Sequence, residues 1–202
     1  MASVQKFTAA AVPNQLRHLY REIRHNSNQD IDPTRSNENY SLTPPREGSA
    51  YDFYLQRKSE LYCYGRTDVK TIAAWIVTAP RDLPPGEEAA FFQASYRFLA
   101  SRYGEENTVA AVVHRDEAGQ PHLHFCFIPV VADPRHGGEK ICANQVLTPR
   151  ELRSFHPDLQ RYITSCGIHA TVQSGITAAQ GGSRSVWDLK QGRSHEYERG
   201  RW

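Results

Sequence analysis

The sequence has no run of apolar residues long enough to cross a bilayer. Its first 25 residues also lack the apolar centre of a secretion signal. Cysteine is scarce. Cys63, Cys126, Cys142 and Cys166 stand far apart, so no CxxC pair for a zinc knuckle is spelled. A chain of 202 residues can bury its own core and does not depend on disulfide staples. Charge of one sign is not in excess either. The 24 Lys and Arg against 22 Asp and Glu leave +2, so any groove for a polyanion has to come from local clustering. These absences predict a soluble protein of a reducing compartment, such as the bacterial cytoplasm. Hydrophobic residues at 39% and charged residues at 23% are ordinary globular values. We expect one domain over 1–202, with the Gly- and Arg-rich stretch 181–202 a less ordered or helical extension.

Periodicity supplies the elements. The spacing of Leu16, Leu19, Tyr20 and Ile23 predicts a helix over 12–25 with an apolar face, leaving His18, Arg21, Glu22 and His25 on the other. Residues 26–40 are polar and aperiodic and read as a ligand-contacting loop. Tyr40 to Leu42 can start a strand, and 49–62 reads as a helix. Residues 71–78 (TIAAWIVT) form a buried strand, with Trp75 in the core. A helix over 86–103 follows, with Phe91, Phe92, Tyr96 and Leu99 as its core stripe and Gly104 as its cap. Two strands, 108–115 and 121–130, are joined by a connection of hairpin length. A helix over 149–165, stopped by Gly167, and a short helix near 186–190 complete the list. The order predicts an α+β fold, a central antiparallel sheet with helices packed on one face.

The chemistry concentrates in the hairpin. His122 and His124 are two apart on a strand and project from one face, while Leu123, Phe125 and Phe127 point to the other. A hairpin sets His114 beside them. Three of the nine histidines thus fall within eleven residues around one turn. Three imidazoles can hold a divalent ion with positions left open, as phosphoryl chemistry needs. Unrelated surface histidines, or a three-histidine small-molecule metalloenzyme, would spell the same pattern.

His122-Leu123-His124 resembles the HUH motif of relaxases and rolling-circle initiators. The longer string from His114 through Asp116-Glu117 to Pro121-His122-Leu123-His124 is similar to the signature of Mob/Pre (MobV-type) plasmid mobilisation relaxases. The N-terminal stretch agrees, with His18-x-x-Arg21, Asn28-x-Asp30-Ile31-Asp32-Pro33-x-Arg35-Ser36 and Asn39-Tyr40, and so does Trp75-Ile76-Val77-Thr78. The resemblance covers about residues 5–190.

It implies an HUH relaxase-like domain that nicks and rejoins one DNA strand at an origin of transfer, for plasmid mobilisation or recombination. His18 would attack and keep the 5′ phosphate as a phosphoramidate. His114, His122 and His124 would hold Mn²⁺ or Mg²⁺. Glu117 would accept a hydrogen bond from His18, and Arg21 would stabilise phosphate charge. Arg35, Ser36, Asn39, Tyr40, Arg66 and Lys70 would contact the DNA, a single strand or hairpin. A coupling protein or other transfer machinery would be a partner. A C-terminal coiled-coil region usual in the family is not in this chain. Two other readings compete. One is a tyrosine-type HUH initiator or transposase using Tyr162. The other is a non-catalytic DNA-binding autorepressor.

Overall fold

The structure, a computed structural model, describes residues 2–23 and 30–172. The expected helix at 186–190, the extension 181–202, His25 and Asn28 lie outside the described residues.

The hairpin histidines sit at the middle of a five-stranded sheet. Its strands are β1 (Ala2–Thr8), β2 (Tyr40–Ser41), β3 (Lys70–Thr78), β4 (Thr108–His114) and β5 (His122–Phe127). Their order is β1-β3-β5-β4-β2, and every pairing is antiparallel. A separate hairpin follows, β6 (Val130–Asp133) and β7 (Gly138–Ile141). The helices are α1 (Val12–Leu19), α2 (Ala50–Ser59), α3 (Glu88–Tyr103), the single turn α4 (Ala143–Val146) and α5 (Pro149–Ser165).

The expected α+β class with a central antiparallel sheet is what forms. The helices, however, cover both faces. Leu123, Phe125 and Phe127 join Trp75, Val77, Ala111 and Val113 under Phe91, Phe92 and Leu99 of α3 and Phe155, Leu159 and Ile163 of α5. On the other face Ala74, Val112, Cys126 and Ile128 pack against Val12, Leu16 and Leu19 of α1 and Tyr54 of α2. The cause is in the strands. β4 is apolar at odd and even positions alike and is buried along its whole length, and such a strand needs cover on both sides. Hence the histidine face is largely covered, with His18 and His122 left partly exposed. It is roofed by α1.

Trp75 is core, as expected. It is stacked on Phe155 at 3.5 Å, and its indole nitrogen donates to the Tyr103 hydroxyl. That hydroxyl donates to Glu151, which also takes a fork from Arg102 and so ties α5 to α3. The helix at 86–103 begins later, at Glu88, and ends as expected at Gly104, whose φ of 92° favours glycine. The helix over 49–62 is shorter, with Ser49 and Asp52 closing a capping box at its start. The strand expected over 121–130 stops at Phe127, and a new hairpin starts at Val130 after Pro129. β1 has no counterpart among the expected elements. Its mostly polar sequence suits an edge strand, where one side meets only β3.

Candidate metal centre

The helix expected over 12–25 ends at Leu19, and this ending builds the site. The Glu22 amide donates to the Arg17 carbonyl at 2.9 Å, and the Arg21 amide donates to the His18 carbonyl at 3.2 Å. This is a Schellman closure, whose left-handed position is normally glycine. Here Arg21 occupies it with φ 56°, alone among the described non-glycine residues in having positive φ. The conformation costs about 1 kcal/mol or more. What offsets it is the Arg21 guanidinium. Nε and Nη2 grip Asp116 at 2.8 and 2.6 Å, and Nη2 also reaches Glu117 at 2.8 Å. The side chain is only 10% exposed and Asp116 not at all, so this charge-assisted fork is screened little by water.

The closure aims His18 at the sheet. Its ring lies 5.9 Å from that of His114 and 6.1 Å from that of His124, edge-on to both. His114 pairs directly with His122 across β4 and β5, so both rings leave the same face. The His124 ring lies 4.6 Å from that of His114 and 4.8 Å from that of His122. Hydrogen bonds set which nitrogen each ring offers. His114 Nε2 donates to the Leu19 carbonyl at 2.9 Å, which turns Nδ1 toward Glu117, 3.5 Å away, without a close hydrogen bond. His122 Nδ1 donates to the Gln120 carbonyl at 3.2 Å, and its Nε2 lies 3.9 Å from Glu117. Both nitrogens of His124 are buried without a partner. A buried polar atom left unpaired costs about 1–3 kcal/mol. Backbone carbonyls fixing the far nitrogen of an imidazole are the usual support of a metal ligand.

The donor set therefore fits a divalent cation. His18, His114, Glu117 and His124 each offer an atom within 4.8 Å of the others. His114 and His124 belong to this group and to the triad expected with His122. The unpartnered nitrogens make these two the core of either set. Asp116 and Glu117 against Arg21 leave one negative charge beneath the cluster, which also favours a cation. Burial alone would raise the Glu117 carboxyl. His114, 3.5 Å away, and Arg21 outweigh it and hold the group down at about 2. Burial likewise opposes the Arg21 and Ser36 bonds at Asp116, and the bonds prevail, holding the carboxyl well below its usual range.

Burial lowers the pKa of His18, helped by the Arg21 charge, and lowers that of His122; His124, the deepest of the three, falls well below 6.5. The folded protein thus binds fewer protons here than the unfolded chain, and stability must fall as pH drops below about 6.5. Glu117, also depressed, adds a second loss between about 4.5 and about 2. Melting of the metal-free protein should therefore move to lower temperature between pH 7.5 and 5. A flat profile over that range would mean that the imidazoles are not held neutral by burial.

The remaining expected residues divide. Ser36 joins the cluster by donating to Asp116 at 2.8 Å, and Asn39 accepts the Arg115 amide at 2.7 Å. Arg35 is exposed nearby and paired with Glu38. Tyr40 is not at the site. It pairs with Val113 in the sheet and packs on the α3–α5 side. Arg66 is exposed and pairs with Asp68. Lys70 begins β3, whose other end, Thr78, is the one beside His122. Both therefore lie toward the end of the sheet away from the histidines. Tyr162, weighed as an alternative nucleophile, packs near Phe98 in the layer across the sheet from the metal face. Glu117 is in the cluster, but its short bond runs to Arg21 and not to His18. Asp116 is the residue that sequence reasoning passed over. It stands inside the matching string, yet only the fold shows it holding Arg21, Ser36 and the Asp32 amide together.

Residues 1–182 match the Mob_Pre family, described as plasmid recombination enzyme. A plasmid recombination enzyme of Streptococcus agalactiae is 27% identical over 199 residues, covering 95% of this chain and 38% of its own. One of Bacillus thuringiensis is 32% identical over 160 residues, covering 77% and 35%. The chain thus spans little more than a third of the length of these two relatives. Among solved structures, the Mn-bound MobM relaxase domain in complex with plasmid pMV158 oriT DNA aligns with a TM-score of 0.78 at 27% identity. That alignment covers 95% of this chain and 97% of the other. The described residues form no helix long and apolar enough to cross a membrane, and their four cysteines are free.

Proposed function

Because the chain belongs to the plasmid recombination enzyme family, we propose that it nicks and rejoins one strand of origin-of-transfer DNA, with His18 as the attacking group. The observation that carries this reading is the placement of His18. A helix from outside the hairpin presents a fourth imidazole edge-on to the buried cluster.

Attack needs a lone pair, so the ring must be neutral. Burial and the neighbouring Arg21 charge both act in that direction. The nitrogen–phosphorus bond forms as the bond to the 3′ oxygen breaks and its electron pair leaves with that oxygen. The 5′ phosphate stays on His18, and the proton given up by the second ring nitrogen balances the one the 3′ oxygen takes to become a hydroxyl. Reversal rejoins the strand. His114, His122 and His124 would hold Mn²⁺ or Mg²⁺, which when bound supplies Lewis-acid polarisation of a phosphate oxygen. Glu117, with an oxygen within 4.8 Å of one His18 ring nitrogen, is the carboxylate placed to take a proton from that ring. The Arg21 charge is spent on Asp116 and Glu117. Its part is therefore to hold the end of α1 and the neutral state of His18, in place of a direct phosphate contact. Ser36 beside Asp116, Asn39 beside Arg115 and exposed Arg35 would contact the incoming strand. Arg66 and Lys70, away from the histidines, are available to a duplex or hairpin arm of the same DNA.

Mass spectrometry of the denatured adduct formed with an origin oligonucleotide and Mn²⁺ tests the reading. The nucleotide remnant should be acid-labile, and fragment ions should place it on His18, distinct from nearby Tyr20. A remnant on Tyr162, or no adduct with either Mn²⁺ or Mg²⁺, would sink the assignment.

A further inference from the structure

The cleft between α1 and the start of α2 is not explained by the metal centre. It measures about 540 Å³ and is lined in part by Arg17, Tyr20 and Tyr51. A second arm of about 320 Å³ shares Tyr20 and adds the hydroxyl residues Ser41 and Thr43. Tyr20 belongs to the apolar spacing of α1 but is 39% exposed, because the helix ends before it can be buried. Its hydroxyl lies beside Thr43. Tyr51 is held in place by stacking on Tyr54.

We infer that this cleft receives an unpaired nucleobase of the strand whose phosphate reaches His18. The inference rests on the strand-nicking reading above. Aromatic faces beside a few hydroxyls suit a flat base with polar edges. A phosphate is disfavoured there. In the second arm the lining guanidinium, Arg46, is already donating to the Thr108 and Val109 carbonyls and lies over Phe53, and in the main cleft Glu22 lines the wall beside Arg17. The first turn of α2 is closed by Ser49 and Asp52, which adds a carboxylate. Continuity with the reacting centre comes from α1 itself, since Arg17 and Tyr20 flank His18 in the chain. A helix with its side chains is about 10–12 Å across, about three steps of a stacked strand, so a strand crossing α1 can serve both places. Exposed Arg17 at the rim would meet the backbone between them.

The test uses 2-aminopurine placed in turn at each position near the nick of a single-stranded origin oligonucleotide. One position within about three nucleotides of the nick should be quenched on binding. Tyr20→Ala should lose that quench and raise KM about tenfold with kcat nearly kept, as loss of one base-stacking platform predicts. Tyr51→Ala should weaken the same quench, and melting curves would show that both variants fold. Cleavage without any Tyr20-dependent quench overturns the base pocket and leaves the nicking reading intact. If no origin strand is cut, the nicking reading fails, and dT20 carrying a single 2-aminopurine decides the pocket by itself. A Tyr20-dependent quench with dT20 supports the pocket, and none removes it.

Discussion

His18→Ala is expected to abolish the covalent DNA–protein adduct while origin binding stays close to normal. The loss in cleavage should reach about four orders of magnitude or more, since no neighbouring group can take over the attack. His122 is anchored to the Gln120 carbonyl, His124 is buried in the central strand, and His114 is anchored to the Leu19 carbonyl. Tyr20 points away into the α2 cleft. The fold should tolerate the change, because α1 is held by buried Val12, Leu16 and Leu19, and His18 is only half-buried. The readout is denaturing electrophoresis of labelled oligonucleotide beside a binding titration at fixed salt, which governs affinity for DNA. Undiminished adduct in His18→Ala, or its loss in Tyr162→Phe alone, would return the chemistry to a tyrosine.

His124→Leu should separate stability from function. His124 is 5% exposed in the central strand, and neither of its nitrogens has a partner. Without metal, an apolar side chain of similar size relieves that unpaired group. Stability should rise by about 1 kcal/mol, which for a domain of this size is about 2–4 °C in Tm. With metal the order reverses. A saturating ion at 100 times Kd stabilises the native protein by about 2.7 kcal/mol, and the variant should gain almost nothing. Strand cleavage should fall by about a thousandfold or more if the ion's transition-state stabilisation is lost. Melting curves with and without Mn²⁺ decide the matter. A variant that is destabilised without metal, yet still responds to Mn²⁺, would make His124 a packing residue.

Much of this protein was legible in order along the chain. The period of two at His122 and His124 against Leu123, Phe125 and Phe127 puts the histidines and the α3–α5 core on opposite faces, as observed, because strand geometry alternates side chains whatever the surroundings. The helix over 149–165 and the burial of Trp75 follow from local pattern in the same way. The matching strings of residues carry the family as far as residue 182. Tyr40 and Lys70 show where this stops. Both stand next to recognisable motifs, but which face or end of the sheet a residue occupies depends on strand pairing between distant segments.

The clustering of His114, His122 and His124 on one hairpin was thus determined by the sequence alone, as was the presence of a helix carrying His18. Where that helix ends was decided only in three dimensions. Nothing between Tyr20 and His25 reads as a stop, and the local pattern favours continuation. Arg21 takes a left-handed conformation because Asp116 and Glu117, about ninety-five residues later, grip its guanidinium. An ion pair buried against a turn repays the backbone strain, and no helical propensity encodes it. That tertiary bond closes α1 after Leu19, turns His18 toward His114 and His124, and leaves Tyr20 exposed beside the cleft.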